Sequence, residues 1–167
     1  PEAVVATGTE PLDGRESTVR NRGGRLTDVI AAAMAHEAKT PDVALFNGGS
    51  VRIDDVVPPG PITEYDIIRI LPFGGRVVQA TLDGALLARV LDTGMNNQGL
   101  GGFLHVWGAR RENGAWLVQG KPIDPARRYT VAMTDFLLSG GETNLGYLTR
   151  TNPQVRDVQE LRDIRRV

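Results

Sequence analysis

Apolar residues recur at helical spacing in two stretches of the chain and in short, unbroken blocks in several others. From Leu26 to Ala38 the sequence LTDVIAAAMAHEA puts Leu26, Val29, Ile30, Ala33 and Met34 on one side. That spacing predicts an amphipathic helix over 26–38 with the stripe turned inward. ALLARVLDTG, residues 85–94, repeats the pattern, and Gly94 is the expected stop. VVAT (4–7) reads as a short strand running into the turn PLDG. VALF (43–46), RVVQATLDG (76–84) and YTVAMT (129–134) also read as strands. FLHVWG and AWLVQG are expected to pair as a hairpin turning at ENG. VVPPGPIT (56–63) reads as a rigid connector, and Thr63 with Glu64 and Asp66 as the cap of a short helix stopping before LPFGG. NNQGLGG (96–102) is too rich in glycine for regular structure, and the charged tail VRDVQELRDIRRV is a strand or a surface helix. Interspersed helices and strands with antiparallel hairpins predict an α/β to α+β fold: one domain over residues 1–167, built on a mixed sheet flanked by helices.

Composition narrows this little. At 167 residues with 41% hydrophobic and 23% charged content, the chain can fold on its own core. The near balance of 19 basic and 20 acidic residues argues against a nucleic-acid surface. Without cysteine there is no disulfide, thiolate metal site or cysteine nucleophile, and the redox compartment stays open. No apolar run reaches the ~18 residues of a membrane span. A chain beginning on Pro1 suggests processing or excision from a longer protein.

Three loops depart from the strand and helix pattern in a related way: NGGSVR (47–52), LPFGG (71–75) and DFLLSGGETN (135–144). Each carries a glycine pair beside a side chain suited to a ligand. Glycine pairs permit unusual backbone conformations and let a ligand come close to peptide N–H groups. Together the loops predict a cradle for part of a small anionic ligand.

FNGGSVR, ITEYDIIRILPFGGRVVQATLDGALL and YTVAMTDFLLSGGE, in this order and spacing, resemble the C-terminal domain of the 5'-nucleotidase family, which includes UDP-sugar hydrolases and cyclic-nucleotide phosphodiesterases. LDGRESTVRNRGGRLTDVIAAAM resembles that domain's first turn and helix, and the likeness spans about residues 4–148. The resemblance implies a domain that binds a nucleoside or nucleotide and presents its phosphate to a separate N-terminal metallophosphoesterase domain of the same polypeptide. It implies that Phe73 and Phe136 stack on the two faces of the base, a contact worth about 1–3 kcal/mol per base. It further implies that Asn47, Gly49 and Arg52 form the substrate loop, with the Arg52 fork meeting phosphate oxygens, that Arg20 reaches the substrate, and that Glu142 holds the ribose hydroxyls. Members are mostly exported or cell-surface proteins.

The departures from the family pattern are specific. Ser50 and Val51 replace a glycine and an isoleucine of Asn-Gly-Gly-Gly-Ile-Arg. Glu142 and Thr143 replace the Asp-Gly of Gly-Gly-Asp-Gly, lengthening the carboxylate by one methylene. Gly23 to Asp28 replace the usual Glu-Thr/Ser-Asn-Leu-Gly-Asn before the first helix, which suggests a drifted member.

No catalytic machinery is legible. The two histidines, His36 and His105, lack metal-ligand spacing, and no nucleophile-elbow sequence occurs. The expectation is therefore no catalytic residue, metal or cofactor in this chain. The family's divalent metal pair would belong to a separate domain, so the chain is a fragment of a longer enzyme or a freestanding binding relic. A docking module that has lost nucleotide binding is the alternative. Single-stranded nucleic-acid binding would need a basic groove that the charge balance disfavours.

Overall fold

A computed structural model describes residues 3–166. Along the chain run β1 (Val4–Gly8), β2 (Leu12–Asp13), α1 (Glu16–Val19), α2 (Arg25–Glu37), β3 (Val43–Asn47), a 3-10 turn (Gly48–Ser50), β4 (Val56–Val57), β5 (Gly60–Thr63) and α3 (Glu64–Ile70). Then follow β6 (Arg76–Asp83), α4 (Gly84–Asn96), β7 (Leu104–Trp107), β8 (Ala109–Glu112), β9 (Ala115–Val118), β10 (Lys121–Pro122), β11 (Arg128–Thr134), β12 (Val155–Asp163) and a closing 3-10 turn (Ile164–Arg166).

The central sheet has the order β12-β6-β11-β3-β7. β3 and β11 are parallel, with Val131 beside Val43; every other neighbouring pair is antiparallel. Both faces are covered, which explains why VALF is apolar at every position rather than alternating. Val43 and Leu45 point to the side where Leu86, Leu87, Val90 and Leu91 of α4 pack. Ala44 and Phe46 point to the other, against Leu26, Ile30 and Met34 of α2. Val131 and Met133 of β11 take the first side and Ala132 the second. The fold is α+β, a single domain with a mixed sheet flanked by helices.

Both expected long helices are present. α2 starts without the family's usual sequence, yet its end is closed: the Thr27 hydroxyl accepts from the Gly24 N–H at 2.9 Å. α3 opens with the expected cap, Thr63 Oγ1 accepting from the Asp66 N–H while Asp66 accepts from the Thr63 N–H.

The structure corrects several expectations. Val29 is 50% exposed, and α2 buries Ala31 and Ala35 instead, with Ala38 buried just past its end. Gly94 does not end α4; it is buried inside the helix, where a Cβ would sit 2.6 Å from the Leu104 side chain. Its function is to let α4 approach β7. ENG does turn a hairpin, with Asn113 and Gly114 both at positive φ (51° and 79°), but the partner of AWLV is β8, ARRE. LHVW leaves the hairpin at Gly108 and joins the central sheet against β3. The connector VVPPGPIT contains β4 and β5, which pair with β2 and β1, so Leu12 and Asp13 of the expected turn are a strand. The tail is a strand, β12, with two register shifts against β6.

Candidate functional site

β3 and β11, the parallel pair, end on the same side of the sheet and deliver their following loops to one cleft. This is where open sheets commonly place ligands. β3 ends in Asn47 and continues into the Gly48–Ser50 turn and Arg52; β11 ends in Thr134 and continues into Asp135 and Phe136. The turn between α3 and β6 adds Phe73, Gly74 and Gly75. Arg20 follows α1, Gly101 comes from the loop between α4 and β7, and Glu142 from the segment after β11. The cleft has a volume of about 460 Å³, within the range of small-molecule sites.

All seven residues expected from sequence line it: Arg20, Asn47, Gly49, Arg52, Phe73, Phe136 and Glu142. Phe73 is 73% exposed and Phe136 48% exposed, so neither ring belongs to the core. Arg52 donates through Nε to the Gly49 carbonyl at 2.7 Å, and its guanidinium carbon lies 5.4 Å from the Phe73 ring centroid. Its two terminal nitrogens have no partner among the described residues. Arg20 is held by Glu16 at 3.0 Å, one helical turn earlier.

The longer carboxylate at position 142 is firmly oriented. Glu142 Oε2 accepts from Asn47 Nδ2 at 2.6 Å, and Oε1 accepts from the Thr143 N–H at 2.7 Å. Asn47 is 5% exposed. An ionised carboxylate offers about four lone-pair positions, so each Glu142 oxygen keeps capacity for a hydroxyl donor.

The glycine loop after β3 works differently from the sequence expectation. The Gly48 and Gly49 N–H groups are not open to a ligand; they donate to the Phe103 and Gly101 carbonyls at 2.8 Å each. Neither glycine has a positive φ. Their value is small size: a Cβ on Gly48 would run into the Val19 carbonyl, and one on Gly49 would lie 3.0 Å from the Gly101 backbone. The other two loops do use glycine's conformational freedom, at Gly74, Gly75 and Gly140.

Sequence reading missed Ser50, Gly101, Thr134 and Asp135 as lining residues. Thr134 is 4% exposed, with a buried hydroxyl that has no hydrogen-bond partner among the described residues. The readable signal was position: Thr134 and Asp135 directly precede Phe136.

His105 lies behind the glycine turn on β7, with Nε2 2.6 Å from the Val19 carbonyl. Burial pushes its imidazole below the ordinary value of 6.5, against the opposing influence of the Val19 contact and Asp28. His36 is exposed on α2. Among the described residues no three His, Asp or Glu side chains are grouped closely enough to hold a metal ion.

With this geometry established, comparison with known proteins decides the family. Residues 4–147 match the family described as 5'-nucleotidase, C-terminal domain. The chain belongs to that family. It is 32% identical over 137 residues to Protein UshA of Yersinia enterocolitica, covering 78% of this chain and 24% of that protein. It is 31% identical over 172 residues to the NAD 5'-nucleotidase of Haemophilus influenzae, covering 87% and 28%. Among solved structures, the 5'-nucleotidase precursor of Thermus thermophilus superposes with a TM-score of 0.77 at 29% identity, covering 94% of this chain and 33% of that one. The chain thus spans about a quarter of the length of the curated relatives it matches.

Proposed function

We propose that the chain is the substrate-specificity domain of a metal-dependent 5'-nucleotidase-like phosphohydrolase and binds the nucleoside part of a nucleotide. Phe73 and Phe136 hold the base between them. Glu142, oriented by Asn47, accepts from the ribose hydroxyls, and Arg52 with Arg20 draws the phosphate toward one end of the cleft. The hydrolytic step, with its metal pair, belongs to a metallophosphoesterase domain of an exported parent protein; this chain supplies binding and orientation.

The observation that carries the reading is the pairing of two exposed phenylalanines with an oriented carboxylate and a guanidinium in one cleft. A large apolar side chain left in water beside polar groups is unfavourable for the free domain, and a ligand face covers it. Base stacking tolerates any base because each has a π-face.

Saturation-transfer NMR tests it, with adenosine as ligand and ribose 5-phosphate as the base-free control. Transfer to the adenine protons in the wild type, lost in Phe136→Ala, is the expected result. No transfer from adenosine at millimolar concentration would overturn the nucleoside reading and favour a docking module.

A further inference from the structure

A second groove, of about 320 Å³, opens between the first turn of α2, the end of α4, the edge strand β7 and Trp116 of β9. Among the described residues it shares no lining residue with the first cleft. Leu91, Met95, Phe103, Val106 and Trp116 form the apolar part of walls that are otherwise polar, and His105 lies among them.

His105 is only 5% exposed, and its two ring nitrogens have different surroundings. Nε2 faces the Val19 carbonyl at 2.6 Å. A carbonyl can only accept, so Nε2 carries the proton and Nδ1 is left as a bare acceptor. Nothing among the described residues donates to it. The ring is held by Phe46 stacked at 5.0 Å and Phe103 edge-on at 5.3 Å, so it has little freedom to find another partner.

The polar rim is partly engaged within the protein, although the Asn21 and Gln98 amides each keep a second N–H. Asn21 Nδ2 donates to the Ser17 carbonyl and Gln98 Nε2 to the Asn21 carbonyl. The Thr27 hydroxyl donates to the Gly24 carbonyl, and the Trp116 N–H donates to Asp92. Asp28, also in the lining, can only accept when ionised. Apolar side chains around the Nδ1 acceptor suit an occupant that is itself largely apolar and donates to that nitrogen. A single water, which fills about 30 Å³ of liquid volume, would leave most of the groove open.

We infer that this groove is a second small-molecule site, taking a flat, uncharged aromatic ligand that presents one N–H or O–H donor to His105 Nδ1. The Asp28 carboxylate disfavours an anion there. The inference is independent of what the first cleft binds.

Methyl and amide NMR titrations of the chain test it with three probes of similar size: indole, 1-methylindole, which lacks the donor, and benzoate, which is anionic. Indole should shift the Leu91, Met95 and Val106 methyls. 1-Methylindole should bind about fivefold more weakly, the loss of one hydrogen bond, and benzoate more weakly still. Trp116→Ala, checked for an unchanged thermal midpoint, should abolish the indole shifts. No indole shift in these methyls at millimolar concentration would overturn the inference. So would equal affinities for indole and 1-methylindole, which would reduce the groove to an apolar crevice. Should Trp116→Ala fail to fold, the probe pair alone decides.

Discussion

The two sides of the main cleft are built on opposite terms. On one side Asn47, Gly48 and Gly49 are buried, and their hydrogen-bonding groups are largely engaged within the protein: Asn47 with Glu142, the two glycine N–H groups with the Gly101 and Phe103 carbonyls. On the other side Phe73 and Phe136 stand exposed on loops turned by Gly74, Gly75 and Gly140 at positive φ. The first side is part of the fold and is preorganised before any ligand arrives. The second is held by the fold but contributes little to it. Fold and ligand affinity should therefore respond to different mutations.

The largest effect should come from breaking the buried side. In Gly48→Ala the new Cβ meets the Val19 carbonyl, a backbone atom that cannot swing away. Overpacking of this kind costs about 3 kcal/mol when the backbone itself must move. For a domain of this size that lowers the thermal midpoint by roughly 6–12 °C. Calorimetry checks it; an unchanged midpoint would mean that the turn is looser than the contacts with Val19 and Gly101 imply.

Next come Phe73→Ala and Phe136→Ala, which should do the reverse. Neither ring is in the core, so the thermal midpoint should stay within about 2 °C of the parent. Adenosine affinity should fall about tenfold or more for each, following the stacking contribution. Titration calorimetry with adenosine measures the loss. A variant that lost stability and binding together would erase the distinction between the two sides.

Arg52 bridges them, fixed to Gly49 by Nε and lying over Phe73. Arg52→Gln removes the charge. It should weaken adenosine 5'-monophosphate by about tenfold while changing adenosine itself far less. Comparing the two ligands by calorimetry isolates the anion-binding contribution, and equal losses for both would assign Arg52 to holding Phe73 rather than to phosphate.

The same division marks what sequence could disclose. VALF was legible because both faces of the sheet are covered, leaving no polar position to blur it. RVVQATLDG and YTVAMT were legible because Val78, Ala80 and Leu82, and Tyr129, Val131 and Met133, recur at strand spacing. ARRE was not legible as β8, since a solvated satellite strand has no apolar side to repeat. Gly94 and Gly48 read as a stop and a ligand loop, because a sequence shows that a side chain is absent and not what fills its place. Leu104 fills it in one case and the Val19 carbonyl in the other. The cleft residues were found because NGGSVR, LPFGG and DFLLSGGETN, in that order, resemble the family's substrate loops; the glycine pairs alone marked only where a cradle was expected. Thr134 was missed because at the end of a strand it looks like one more strand residue, and Asp135 because the resemblance assigned a role to its neighbour Phe136 and none to it.

The smallest effect, and the sharpest on the buried side, is titration of His105. Its imidazole holds the Val19 carbonyl just ahead of Arg20 and is kept below 6.5 chiefly by burial. The unfolded chain therefore takes up a proton at higher pH than the folded one. Stability from this group is complete above about pH 6.5 and is lost as pH falls below it, toward the lower folded value. Thermal midpoints between about pH 8 and pH 5 should decline only over the acidic part of that range. With two histidines in the chain, His36→Ala leaves a single imidazole whose ring protons can be followed directly by NMR. A midpoint below 6.5 is expected. One at or above 6.5 would mean that the Val19 contact and Asp28 outweigh burial, and that acid strengthens the turn beneath the cleft instead of loosening it.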